Sequence, residues 1–367
     1  MNAIPAAALD PPALWDNYRP TSLVEFSSLA RQMNVARVFA KMENERPLGN
    51  FKVLGGMVAG LRALARVAGG LSTNDPAPPS SNARLAIPHE GLQLHHAYSP
   101  AHAQLPRLIC ASDGNHGLAV AAAAARVGAK ATIYLPLSAS PIRADRIKAV
   151  GGDVLWVDGT YDDAVEAASA AAARGEGLLI PDTSADPNDA VVKDVMAGYA
   201  LLTQELRDQL PLRPTHVFVQ AGVGGLAAAM AEGLHDFLSE PGRIVVVEPE
   251  SAACVAQALA AGRPIRIPGS LETSAEMLSC GVASALALEI LTRYNVGSVL
   301  VSEQQLRAAV AVLREAGGSQ TTPSGAAGLA GLLHATACAQ LRKVHHLGAD
   351  SNVLFVVTEG AALNSSD

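Results

Sequence analysis

Aromatic side chains are scarce in this chain, since tryptophan, tyrosine and phenylalanine together make up 4% of its 367 residues. With 49% of the residues hydrophobic, the core must be filled by Ala, Val and Leu, with Gly between them. Small side chains let helices sit close on a buried sheet, which predicts layered α/β packing. Cysteine is also sparse. Cys110, Cys254, Cys280 and Cys338 lie far apart with no Cys-x-x-Cys spacing. That excludes a disulfide framework or a zinc site and predicts buried free thiols, as in a reducing cytosol. Basic charge is short too: Lys and Arg number 27 against 34 Asp and Glu, for a formal net charge of −7. No basic stripe can neutralise phosphates, so a nucleic-acid partner is excluded. Long apolar runs are absent, and Leu118–Ala125 is too short to span a bilayer. Met1–Pro12 carries neither the cationic start nor the unbroken apolar core of a targeting segment. The expectation is a soluble, cytoplasmic protein with no membrane partner.

What the chain does have is alternation. Short β-branched runs at 37–42, 108–112, 131–135, 153–157, 216–220, 244–248, 298–301 and 353–357 read as strands. Alanine-rich helical patterns at 53–68, 117–127, 141–150, 162–174, 191–209, 224–237, 252–261, 303–315 and 323–340 lie between or after them. Strands separated by helices of this length pair in parallel, which predicts a doubly wound α/β fold. The length allows two domains. Segment 71–106 breaks the pattern with Pro76, Pro78, Pro79, Ser80 and Ser81, then His89, His95, His96 and His102. A loop this long is functional or lacks order of its own. Without clustered carboxylates or thiols its histidines read as solvated, and no metal site is expected.

Three motifs carry chemistry. Asn50-Phe51-Lys52, followed by Val53-Leu54-Gly55-Gly56, sets one lysine at a small-residue helix start. A lysine that bonds a carbonyl cofactor needs partial desolvation and fixed reach, so that its neutral amine can attack. Ser112-Asp113-Gly114-Asn115-His116-Gly117 leaves a strand and enters a helix. Asn115 can offer an amide to a ring oxygen or a substrate carboxylate. Asp113 reads either as a helix N-cap or as a side chain projecting into the crevice where parallel sheets bind ligands. Gly222-Val223-Gly224-Gly225 follows another strand and opens a helix whose free N–H groups and dipole suit a phosphate. A dinucleotide fold prefers this turn after its first strand, whereas here it lies past mid-chain; Glu248, 23 residues beyond Gly225, leaves that reading open by spacing alone.

In this order, lysine, SDGNHG and GVGG resemble the pyridoxal-phosphate enzymes related to the tryptophan synthase β chain and, within them, the diaminopropionate ammonia-lyases. The resemblance extends from Tyr18-Arg19-Pro20-Thr21-Ser22-Leu23 through Asp182-Thr183, Met196-Ala197-Gly198-Tyr199, Gln220–Gly225 and Val247-Glu248-Pro249 to Thr358-Glu359-Gly360. It implies two doubly wound parallel-sheet domains with pyridoxal 5′-phosphate in the cleft between them. The larger would span 1–50 and 200–367, and the smaller 51–199 with its loop at 71–106. Lys52 would hold the cofactor covalently and take the α-proton of an L-amino acid, with Phe51 beside it. Asn115 would bond the cofactor's phenolic oxygen, while Gly222, Val223, Gly224 and Gly225 cradle its phosphate. Thr358 would meet the pyridine nitrogen with a hydroxyl that does not enforce a pyridinium.

The resemblance makes Asp113 a second base, opposite the lysine, for a D-substrate. Asp182 would serve an ammonium on the substrate's β-carbon, or else be a plain loop aspartate. The implied activity is α,β-elimination on a small amino acid by a homodimer, giving a 2-oxo acid and ammonia. Alternatives are a serine- or threonine-type dehydratase, a β-replacement synthase that captures aminoacrylate, or a cofactor-binding protein without catalysis. The chain departs from the ammonia-lyase pattern where substrate is expected. Ser184-Ala185-Asp186-Pro187-Asn188-Asp189 replaces an aromatic-bearing stretch, Glu276 is added beside Cys280-Gly281, and Thr321-Thr322-Pro323-Ser324-Gly325 lacks a glutamate.

Overall fold

The computed structural model describes residues 18–68, 105–112 and 114–361. Asp113 and nearly all of the 71–106 loop, with its four histidines, lie outside the described residues. The chain divides into two compact units. One is assigned Met1–Pro20, Lys52–Asp182 and Asn188–Leu201, the other Thr21–Phe51, Thr183–Pro187 and Leu202–Asp367.

Among the described residues, ten strands, numbered in chain order, form two sheets. They are β1 (Leu23–Glu25), β2 (Arg37–Met42), β3 (Leu108–Ala111), β4 (Ala131–Pro136) and β5 (Asp153–Val157), then β6 (Leu178–Leu179), β7 (His216–Gln220), β8 (Arg243–Pro249), β9 (Gly297–Val301) and β10 (Asn352–Val357). In the first unit the order is β5-β4-β3-β6, all parallel. In the second it is β1-β2-β10-β7-β8-β9, parallel except for the antiparallel edge strand β1. Parallel sheets need both faces covered, and Val353–Val357 and Val217–Val219 are accordingly buried along their whole length. The helix Ala327–Ala337 covers one face, lying against β7, β8, β9 and β10. In the first unit the helix Lys52–Val67 packs on Asn115–Arg126, where alanines and glycines allow close approach.

One buried charge cluster sits in the second unit just before Lys52. Glu205 bridges Lys41 and Arg46, each at 2.5 Å, and Arg46 also pairs with Glu43 at 2.8 Å. Burial pushes the Glu205 carboxyl up, but the bonds from Arg46 and Lys41 outweigh it and leave it below the usual range. Such a pair is costly to break once formed, because the remaining partner is left as an uncompensated buried charge. The cluster therefore anchors residues 43–46 as the chain runs toward Lys52.

The predicted 323–340 helix is broken at Cys338 into Ala327–Ala337 and Ala339–His345. Two further helices, Ser27–Met33 and Ala285–Arg293, were not expected from the pattern. Cys110, Cys254 and Cys280 are buried free thiols as expected, whereas Cys338 is half-buried. No helix among the described residues is long and apolar enough to cross a membrane. Nor do they contain a group of His, Cys, Asp or Glu able to hold a metal ion.

Candidate active site

In an open parallel sheet, groups beyond the carboxyl ends of adjacent strands converge. β3 and β6 are such neighbours in the first unit. Beyond β3 come Ser112 and Gly114–Gly117, and beyond β6 comes Asp182. The Ser112 hydroxyl accepts the N–H groups of Gly114 at 2.9 Å and Gly117 at 2.8 Å, so it serves the start of the Asn115–Arg126 helix. Asn115 is buried as the first residue of that helix.

Lys52 opens its own helix, and its Nζ forms a very short ion pair with Asp182 Oδ2. The lysine side chain is 20% exposed and the aspartate side chain 6%. The other Asp182 oxygen accepts the Tyr161 hydroxyl at 2.6 Å. Burial alone would push this carboxyl up. The positive field of Lys52 and the hydrogen bonds from Lys52 and Tyr161 overcome that and hold it well below the usual carboxylate range. The result is a buried aspartate that stays ionised and a lysine held at one place.

Three more residues complete the surroundings. His116 is buried, and its Nε2 lies 2.8 Å from the Ile180 carbonyl. A carbonyl only accepts, so Nε2 carries the hydrogen, leaving Nδ1 with a lone pair and no partner among the described residues. Burial lowers the pKa of the ring, which keeps it neutral. Burial raises the Cys110 thiol well above its ordinary value and the Asp182 charge adds to this, so it is no nucleophile. Tyr199 is buried with its phenol pushed up by burial, and its ring edge packs at Gly55 of the lysine helix. Sequence reasoning missed Tyr161. It also quoted His116 and Tyr199 only within motifs, because nothing local marks a side chain that reaches a distant carboxylate.

Replacing Tyr161 with Phe removes one hydrogen bond to a charged group. A loss of about 1.5–3 kcal/mol in stability is expected near neutral pH. The Asp182 carboxyl, depressed from 3.8, contributes stability that is present above that value and lost as pH falls below it. The Phe variant should therefore lose less stability on acidification than wild type does. Urea unfolding at neutral and acid pH checks this, and identical curves would detach Tyr161 from Asp182.

The second unit holds the remaining residues. β7 and β10 are neighbours. Gly222–Gly225 follows β7 directly, and Thr358 follows β10. Phe51 reaches the same strand end, donating its N–H to the Thr358 carbonyl at 3.1 Å. The helix Gly225–Leu234 begins after Gly224 in the left-handed region at φ 96°, with no side chain capping its first N–H groups. Val223 is buried and its carbonyl accepts Ser284 N–H at 3.0 Å.

A Cβ on Gly224 would not fill a phosphate site. It would meet Ala287 Cβ at 3.2 Å and Val255 Cγ2 at 3.3 Å. The glycine is required by backbone conformation and by close packing underneath the turn. Gly224→Ala should thus cost about 1–2 kcal/mol of stability and weaken cofactor retention through a shifted turn. Thermal midpoint and cofactor content after dialysis measure both, and no change in either would show that the left-handed turn is dispensable.

One sequence expectation changes here. Glu248 is fully buried, and its two carboxyl oxygens accept the N–H groups of Val255 at 2.7 Å and Ala256 at 2.8 Å. It secures the helix Cys254–Ala261 and is closed to a ribose, which removes the dinucleotide reading. In the loop that lacks the family's glutamate, the Thr322 hydroxyl donates to the Glu359 carboxylate in a very short bond.

The residues present fit pyridoxal phosphate. An uncapped helix start follows a glycine turn, and a lysine lies against an ionised carboxylate. Residues 14–359 match the pyridoxal-phosphate dependent enzymes. The chain belongs to that family, and its cofactor is pyridoxal phosphate. Among curated proteins it is similar to the diaminopropionate ammonia-lyase of Escherichia coli K12, at 30% identity over 279 residues. That alignment covers 75% of this chain and 66% of the E. coli protein, so the chain spans just under two thirds of it. The Salmonella typhimurium LT2 diaminopropionate ammonia-lyase is 30% identical, with 94% of this chain and 86% of that protein covered. Among solved structures, holo diaminopropionate ammonia lyase from E. coli superposes with a TM-score of 0.80 at 28% identity, covering 95% of this chain and 86% of that one.

Proposed function

We propose that this protein is a pyridoxal-phosphate-dependent carbon–nitrogen lyase. It carries out α,β-elimination on a small amino acid, with 2,3-diaminopropionate the first substrate to test, and releases a 2-oxo acid and ammonia. The observation that carries this reading is the buried, ionised Asp182 held against Lys52 and Tyr161. A carboxylate in that state suits a substrate ammonium at the β-carbon, which a hydroxyl substrate lacks.

When bound, pyridoxal phosphate supplies the electron sink for the charge left by removal of the α-proton. The chain's residues do the rest. Lys52 would hold the cofactor and then take the α-proton at Nζ. Asp182 orients the β-ammonium and keeps it positive until it leaves. Asn115 would bond the phenolic oxygen, the N–H groups at Gly222–Gly225 would hold the phosphate, and Thr358 would meet the ring nitrogen. Phe51 lines the site next to Lys52. Asp113 serves as a second base toward a D-substrate. Homodimeric assembly and a cytoplasmic setting go with this reading.

The test begins with the purified protein. A covalent link between Lys52 and the cofactor should absorb in the visible, and borohydride should bleach it and fix the label on Lys52. Release of pyruvate and ammonia from diaminopropionate should then be measured with and without an added nucleophile. Label on another lysine would overturn the site. Colour and label without pyruvate would overturn the lyase, and a new amino acid formed only with the nucleophile would favour β-replacement.

A further inference from the structure

Gln220 ends β7 and is buried. Its Nε2 lies 2.9 Å from the Ser324 carbonyl, 3.1 Å from that of Gly325, 3.2 Å from that of Val356, and 2.9 Å from Thr358 Oγ1. Three of these neighbours are carbonyl oxygens, which only accept. They settle the orientation of the amide, with its nitrogen on the Thr358 side. A hydroxyl that accepts from an amide must turn its own hydrogen elsewhere. Among the described residues the Thr358 hydroxyl hydrogen has no acceptor, although the residue is 4% exposed. The adjacent acid, Glu359, is engaged by the Thr322 hydroxyl.

We propose that Gln220 is a positioning residue that locks the Thr358 hydroxyl as a donor, aimed at the unprotonated nitrogen of the pyridine ring. The inference rests on the placement of Thr358 at that nitrogen given under Proposed function. Its chemical consequence is specific. Neither an amide nor an alcohol donates a proton outright to a pyridine. A pyridinium N–H would in turn meet a hydroxyl whose hydrogen already points at it. The ring then stays neutral and a weaker electron sink, which favours prompt loss of a β-leaving group over a long-lived carbanion that could be reprotonated on either face.

The experiment reconstitutes the full-length enzyme with pyridoxal phosphate labelled with nitrogen-15 in the ring, read by NMR. Wild type should show the resonance of a hydrogen-bonded but unprotonated nitrogen, with no one-bond N–H coupling. A pyridinium resonance or such a coupling overturns the proposal without any variant. Thr358→Val should move the signal downfield, because the hydrogen bond is lost. Gln220→Met keeps the length of the side chain but not its donor, and should move the signal in the same direction by a smaller amount. In the Thr358→Val background, Gln220→Met should add no further shift, since it acts only through the hydroxyl. Thr358→Ser should keep the wild-type position.

If Thr358→Val leaves the signal in place, the placement of Thr358 fails and this inference with it. If Thr358→Val moves it but Gln220→Met does not, the placement stands and the role of Gln220 is refuted. An equal Gln220→Met shift in both backgrounds would mark a merely structural residue. Should the Met variant fail to fold, Gln220→Asn supplies the same comparison, its shortened amide no longer reaching Thr358.

Discussion

Lys52→Ala should fold, bind cofactor only non-covalently, and lose turnover by on the order of a thousand-fold or more. On the proposed reading this one substitution removes both the covalent anchor and the base, and groups that act in one mechanism fail together. The structure adds a consequence for stability. The Lys52 ammonium is the main positive charge offsetting the burial of Asp182. Without it the aspartate keeps the Tyr161 hydroxyl but loses its ion pair, and its carboxyl should move up. The variant should therefore be less stable than wild type near neutral pH, and the gap should close as mild acid protonates Asp182. Turnover with an amino-acid substrate and urea midpoints at several pH values measure these effects. Activity near that of wild type would move the catalytic centre elsewhere, and a pH-independent stability gap would break the coupling to Asp182.

Asp182→Asn should have the next largest effect, and its pattern across substrates matters more than its size. The amide has nearly the shape of the acid but no charge. Toward diaminopropionate, kcat/KM should fall by roughly 100-fold, the scale expected when one partner of a buried charge contact is neutralised. Toward serine, whose β-substituent is uncharged, the fall should stay within about ten-fold, reflecting only a Lys52 that has lost its counter-ion. Equal losses on both substrates would make Asp182 a partner of Lys52 alone. No loss on either would return it to a plain loop aspartate and remove the observation on which the lyase reading stands.

Much of the framework was legible in the sequence, and the reasons are local. Runs such as Arg37–Met42, His216–Gln220 and Asp153–Val157 were bounded correctly because β-branched and aromatic residues cluster there between turn residues. Leu23–Glu25 and Leu178–Leu179 were not recognised, since two or three residues carry no periodicity and are strands only because a neighbour pairs with them. The Ala285–Arg293 helix was equally silent, with apolar residues on most of its turn and no side-chain cap at its start. For the site, the glycine turn and the lysine were legible as motifs. The reason for Gly224 was not, because its crowding by Ala287 and Val255 comes from other helices.

By itself, then, the sequence determined the alternation of strands and helices, the shortage of charge partners for nucleic acid, and the order of lysine, asparagine turn and glycine turn. Each strand, helix and motif depends on residues within a few positions of one another, while the charge balance and the order of the motifs are read directly along the chain. Tertiary structure alone decided that Asp182 meets Lys52 and Tyr161, that Glu248 secures a helix and is closed to a ribose, and that the Gln220 amide faces Thr358. All of these contacts but that of Glu248 join segments far apart in the chain. β6 lies beside β3, and β10 lies between β2 and β7. The carboxyl ends of strands that are not consecutive thus converge. Pairing of that kind is set by burial of whole sheets, and no local pattern in the chain encodes it.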